Sequence, residues 1–93
     1  MKFKFKLATG RTEEAISTLN QLLGAPRFDF IASAYHANSS EASEVYCDCL
    51  SGATLKVFRR REDYQVEIFG EADAIRKSKD FLVLSKLNPI TIN

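Results

Sequence analysis

Residues 55–70, LKVFRRREDYQVEIFG, form two runs of alternating side chains around a charged turn. Alternation with a period of two is the pattern of a strand with one face buried. In the first run Leu55 and Val57 point one way, and Lys56, Phe58 and Arg60 the other. In the second, Tyr64, Val66 and Ile68 share a face, opposite Gln65, Glu67 and Phe69. This hairpin turns near Arg61-Glu62-Asp63 and leaves the rest of the chain to cover its apolar side.

The same period recurs upstream. Residues 2–8, KFKFKLA, set Phe3, Phe5 and Leu7 against Lys2, Lys4 and Lys6. Residues 27–35 set Phe28, Phe30, Ala32 and Ala34 against Asp29, Ile31, Ser33 and Tyr35. In 44–50, EVYCDCL, the apolar side reads as Val45, Cys47 and Cys49. The small polar run HANSSEASE, 36–44, has the composition of a loop.

Two segments follow the helical period instead. Thr12 is an N-cap for a helix over 12–23, with Glu13 and Glu14 in the first turn and Ala15, Ile16, Leu19, Leu22 and Leu23 as its apolar stripe. Gly24 is expected as its left-handed stop. After Gly70, EADAIRKSKDFLVLSKL reads as a second helix ending near residue 86, its stripe formed by Ala72, Ile75, Leu82 and either Phe81 or Leu84. Asn88-Pro89 stops it, and Ile90-Thr91-Ile92 suits a short edge strand or a trailing end.

The order β-α-β-β-β-β-α, with that optional C-terminal strand, predicts an α+β two-layer sandwich: a mainly antiparallel sheet with both helices on one face. At 93 residues the chain is expected to be a single domain, 1–93. The expected core face carries Phe3, Phe5, Leu7, Phe28, Phe30, Val45, Cys47, Cys49, Leu55, Val57, Tyr64, Val66 and Ile68.

The opposite face then holds Ile31, Tyr35, Tyr46, Leu50, Phe58 and Phe69 among charged residues, and a small monomer rarely leaves such a patch wet. The expected function is therefore non-enzymatic association, as a homodimer or as an accessory subunit bound to another protein. Tyr35, Tyr46, Phe58, Arg60 and Phe69 are the expected partner-binding residues. The alternative is single-stranded RNA or DNA across the same face, held by Lys2, Lys4, Lys6, Lys56, Arg59 and Arg61. Against it stand a net charge of only +1 and the absence of the Gly-aromatic consensus of RNA-recognition sheets.

Chemistry is bounded mainly by exclusion. His36 is the single histidine; Ser39, Ser40 or Ser43 with Glu41 or Glu44 can be written as a triad, but no G-x-S-x-G elbow accompanies them. Cys47, Cys49 and His36 fall one ligand short of a structural zinc site. Cysteines at i and i+2 of a strand are about 6.5–7 Å apart, at the limit for a disulfide, so two buried thiols are expected. The glycines stand singly at turns and cradle no phosphate. No catalytic residue, cofactor, metal or small-molecule substrate is expected. Without a signal-like or membrane-spanning apolar run, the expectation is a soluble cytoplasmic protein.

Overall fold

The computed structural model describes residues 2–36 and 41–92. In chain order they form β1 (Phe3–Thr9), α1 (Glu13–Leu23), β2 (Phe28–His36), β3 (Glu41–Asp48), β4 (Thr54–Arg59), β5 (Tyr64–Gly70), α2 (Ala72–Leu84) and β6 (Pro89–Ile92). The strands make one six-stranded sheet in the order β2-β3-β4-β5-β1-β6, every neighbouring pair antiparallel. β1 and β2 therefore run in the same direction with three strands between them, and α1 carries the chain from one to the other.

Both helices lie on one face. Leu19 and Leu23 of α1 and Ile75 and Leu82 of α2 share a single core with Leu7, Leu55, Val57, Val66 and Ile68 of the sheet. Each of these large side chains contributes about 1.5–3 kcal/mol on burial, which is what holds the two layers together against chain entropy. This is the expected α+β sandwich, with Ile90-Thr91-Ile92 inside the last strand.

Local signals explain the elements. Thr12 Oγ1 accepts the Ala15 N–H at 3.2 Å and caps α1. Gly24 ends α1 in the right-handed region, at φ −81°, so the expected left-handed stop is not there. It occurs after α2 instead, where Lys86 takes φ 74° and leads Leu87 back into the core. Leu84 is exposed while Phe81 packs on the core, which settles which of the two completes the α2 stripe.

Three readings of the strands need correction. Residues 41–44 belong to β3 and not to a loop, while Asn38, Ser39 and Ser40 lie outside the described residues. β3 also faces the other way: Tyr46 pairs with Leu55 and Glu44 with Val57, which puts Tyr46 and Asp48 under the helices. Val45 and Cys47 accordingly lie on the open face, and Cys49 sits exposed beyond the strand's end. Directly paired residues share a face, so this register decides the matter.

The third correction concerns β2. Phe30 pairs with Tyr46 and Ala32 with Val45, leaving Ile31 as the extra residue of a bulge. Phe28 and Phe30 lie on the helix side, but past Ile31 the alternation inverts, so Ser33 and Tyr35 share the helix side and Ala32 and Ala34 the open one. Phe30 is nevertheless 58% exposed. Finally, β1 is not an edge strand: β6 pairs with Leu7, Ala8 and Thr9, leaving only its first residues without an outer neighbour among those described.

Candidate functional site

The open face of the sheet is built from Lys4 and Lys6 of β1, Gln65, Glu67 and Phe69 of β5, Lys56 and Phe58 of β4, Val45 and Cys47 of β3, and Ala32 and Ala34 of β2. Its charges are largely used within the molecule. Glu67, nearly buried, takes Lys6 at 3.4 Å and Lys4 at 3.9 Å. The Phe58 ring has the Lys56 ammonium 5.0 Å and the Arg60 guanidinium 5.1 Å from its centroid. Phe58 and Phe69 are only half-buried, but Phe58 is flanked by its own cations.

Three of the expected binding residues, Tyr35, Tyr46 and Arg59, belong to the helix side. Tyr46 is buried on the helix side, where it stacks edge-on against Phe30 with centroids 5.6 Å apart and donates its hydroxyl to Glu44 at 3.0 Å. Burial and the Glu44 carboxylate both raise its pKa. Arg59 shares that side: Nε and Nη2 both donate to Glu44 Oε1, and its guanidinium lies over the Tyr64 ring. Burial works against the Arg59 charge, but the Glu44 contacts outweigh it and raise the pKa. Both residues brace β3 to β4 and β5.

Of the remaining expected site residues, Tyr35 is on β2, Arg60 and Arg61 are at the β4–β5 turn, and Lys2 is exposed ahead of β1. The sequence brings Lys4, Lys6, Lys56, Phe58 and Phe69 to one face, as expected, and separates Tyr35, Tyr46 and Arg59 from it.

The apolar surface that lacks a cover lies along β2. Among the described residues this nine-residue strand is the sheet's terminal strand, paired only with β3. Phe30, Ile31 and Tyr35 are 58%, 59% and 72% exposed along it. Asp29 at its start is its single formal charge. A long, apolar edge is an invitation to add another strand; Lys and Pro, two customary safeguards, are missing from it, and the Ile31 bulge is the one feature that interrupts it. Phe30 and Ile31 were not among the expected binding residues; the charge-poor run FIASAY, apolar on both alternating faces, was the signal.

A buried polar cluster was also not anticipated. Asp48, fully buried, receives Arg27 Nε and Nη2 at 2.8 Å each, the Leu50 N–H at 3.0 Å and the Ser78 hydroxyl at 2.5 Å. Ser51 Oγ lies 2.7 Å from both Asp48 Oδ2 and Ser78 Oγ. Burial pushes the Asp48 pKa up, but the hydrogen bonds from Arg27, Ser78, Ser51 and Leu50 win and hold it well below the usual carboxylate range. Its trace in the sequence is Ser78, a polar residue on the α2 stripe between Ile75 and Leu82. Every acceptor on the carboxylate is occupied by a structural donor, so the cluster tethers the β3–β4 turn to α2.

The thiols differ from expectation as well. Cys47 is half-buried on the open face, and Cys49 Sγ lies 3.0 Å from Asp29 Oδ2. The hydrogen bond to the Asp29 carboxylate pushes the Cys49 pKa up to about 11. Among the described residues, no three His, Cys, Asp or Glu side chains converge as metal ligands. Ser43, one of the serines near His36, is buried on β3 opposite Phe58. Among the described residues, no helix is long and apolar enough to cross a membrane.

Comparison with protein-family models, curated proteins and solved structures finds no match to this chain.

Proposed function

We propose that this chain is a non-catalytic interaction module that pairs with a second copy of itself along β2, extending the sheet across a twofold axis. The observation that carries the reading is the exposure of Phe30, Ile31 and Tyr35 on an edge strand with an open backbone. An isologous contact requires a self-complementary patch. Antiparallel pairing centred on Ala32 sets Asp29, the strand's formal charge, against the Tyr35 position of the other copy and not against its own mate. The backbone groups along β2 then gain partners while the apolar side chains leave water. Addition of a strand from a different protein, with this chain as its accessory subunit, uses the same edge. A cytoplasmic setting suits two cysteines that remain free thiols.

The nucleic-acid reading keeps one supporting observation, the open face that joins Phe58 and Phe69 to Lys4, Lys6 and Lys56. It is the weaker one, because Glu67 already pairs with two of those lysines and offsets part of their charge, and Phe58 is flanked by cations.

The test is the mass in solution of the unmodified chain and of an Ile31→Lys, Tyr35→Lys variant across a concentration series. The reading requires twice the chain mass for the former and one chain mass for the latter, with equal helix content. An unmodified chain that stays monomeric at high concentration, or a variant that stays dimeric, rejects it.

A further inference from the structure

At the corner of the sheet where the β4–β5 turn meets the β1–α1 turn, Arg11, Arg59, Arg60 and Arg61 surround one concavity of about 230 Å³, completed by Ala42 and Tyr64. Four arginines from two turns lie close in this corner, the Arg59 guanidinium on the helix side and that of Arg60 over Phe58 on the open face. Such a concentration of positive charge is electrostatically costly unless something negative offsets it. Two are partly offset: Arg59 donates to Glu44, and Arg60 Nε lies 3.7 Å from Glu41. The side chains of Arg11 and Arg61 have no carboxylate partner among the described residues. Glu62 and Asp63 open instead onto a neighbouring hollow with Glu41, Arg60 and Arg61.

Three of the side chains, those of Arg11, Arg59 and Arg60, are also held in place. Arg11 Nη1 donates to the Arg61 carbonyl oxygen, joining the two turns. Arg59 lies over the Tyr64 ring and Arg60 over the Phe58 ring, 5.2 and 5.1 Å from the centroids. A guanidinium presents five N–H donors in a planar fork, so each retains donors beyond those contacts. Arginine forks held in this way match the oxygens of a phosphate group, which they bind through paired charge-assisted hydrogen bonds.

We propose that this concavity binds a compact phosphate-bearing ligand, through Arg11 and Arg61, whose side chains have no carboxylate partner among the described residues, with Arg59, fixed over Tyr64, as its wall. A compact ligand fits better than a strand of nucleic acid for two reasons. The concavity sits at one corner, and the lysines that would continue a phosphate track, Lys4 and Lys6, are clamped by Glu67 on the open face. The proposal is independent of association along β2, so an Ile31→Lys, Tyr35→Lys variant keeps the site.

Titration calorimetry in chloride buffer with inorganic phosphate, pyrophosphate and O-phosphoserine tests it. Saturable binding of at least one is expected, weakened tenfold or more in an Arg11→Gln, Arg61→Gln variant and unchanged in a Lys4→Gln, Lys6→Gln variant. The relative affinities of the three probes separate free phosphate from a phosphomonoester. Arg61→Gln alone, at an exposed side chain, carries the test if the double variant loses helix content. No saturable binding, or equal affinity in the arginine variants, overturns the proposal. So does binding confined to a single-stranded oligonucleotide and lost with the lysines, which would assign phosphate contacts to the open face.

Discussion

Ser78 on α2 donates its hydroxyl to the buried carboxylate of Asp48, 2.5 Å away and thirty positions earlier in the chain. The Arg27 guanidinium closes the other side of that carboxylate, and stacks on Phe81 with its carbon 4.1 Å from the ring centroid. Three elements are thus tied at one buried charge: the start of β2, the end of β3 and the middle of α2.

Removing one partner of a buried, hydrogen-bonded pair leaves the other uncompensated. Asp48→Asn should destabilise the fold by about 3–5 kcal/mol, and Ser78→Ala by about 1–3 kcal/mol, measured as shifts in urea midpoint. A loss within about 0.5 kcal/mol for Asp48→Asn, the range of ordinary surface substitutions, would mean that the cluster is not what secures α2.

The same carboxylate sets an acid limit. The folded-state pKa of Asp48 is depressed below its unfolded value, so the folded state binds the proton less readily. Its contribution is complete at neutral pH, starts to fall below the unfolded value of about 3.9, and goes on falling towards the folded one. Urea midpoints between pH 6 and pH 2 should decline steeply for the unmodified chain and less steeply for Asp48→Asn. Parallel curves would remove Asp48 as the cause.

The open face and the β2 edge make opposite predictions about association. Phe58→Glu with Phe69→Glu places two charges on the half-buried open face and should leave the mass in solution unchanged. Ile31→Lys alone, at the bulge, should shift it to one chain. Sedimentation of both variants at one concentration decides between them, and dissociation by the Phe pair would move the interface to the open face.

Cys49 is exposed yet should alkylate slowly. Its thiol, hydrogen-bonded to Asp29 and pushed up to about 11, holds little thiolate at pH 8. Asp29→Asn should speed iodoacetamide labelling of Cys49 several-fold at that pH. Labelling at the rate of an ordinary free cysteine in the unmodified chain would show that the Asp29 contact does not govern reactivity.

Local chemistry was enough for much of the architecture. Thr12 and the spacing of Ala15, Leu19 and Leu23 define α1, because a cap and a helical stripe are properties of neighbouring residues. The hairpin of β4 and β5 was legible in the same way, since Leu55, Val57, Val66 and Ile68 have no polar rivals for the buried side. From such segments the sequence by itself determined the element order and the placing of two helices on one sheet face.

Tertiary structure decided what those patterns leave degenerate. In EVYCDC either alternate set can face inwards, and the choice fell to Tyr46 and Asp48 because Arg27, Ser51 and Ser78 converge on that carboxylate from outside β3. The bulge at Ile31 inverted the second half of β2, which no local rule announces in FIASAY. That is why the candidate surface moved from the open face to the β2 edge. Side-chain alternation is local, but which side is buried, and which strand is left at an edge, depends on partners distant in sequence.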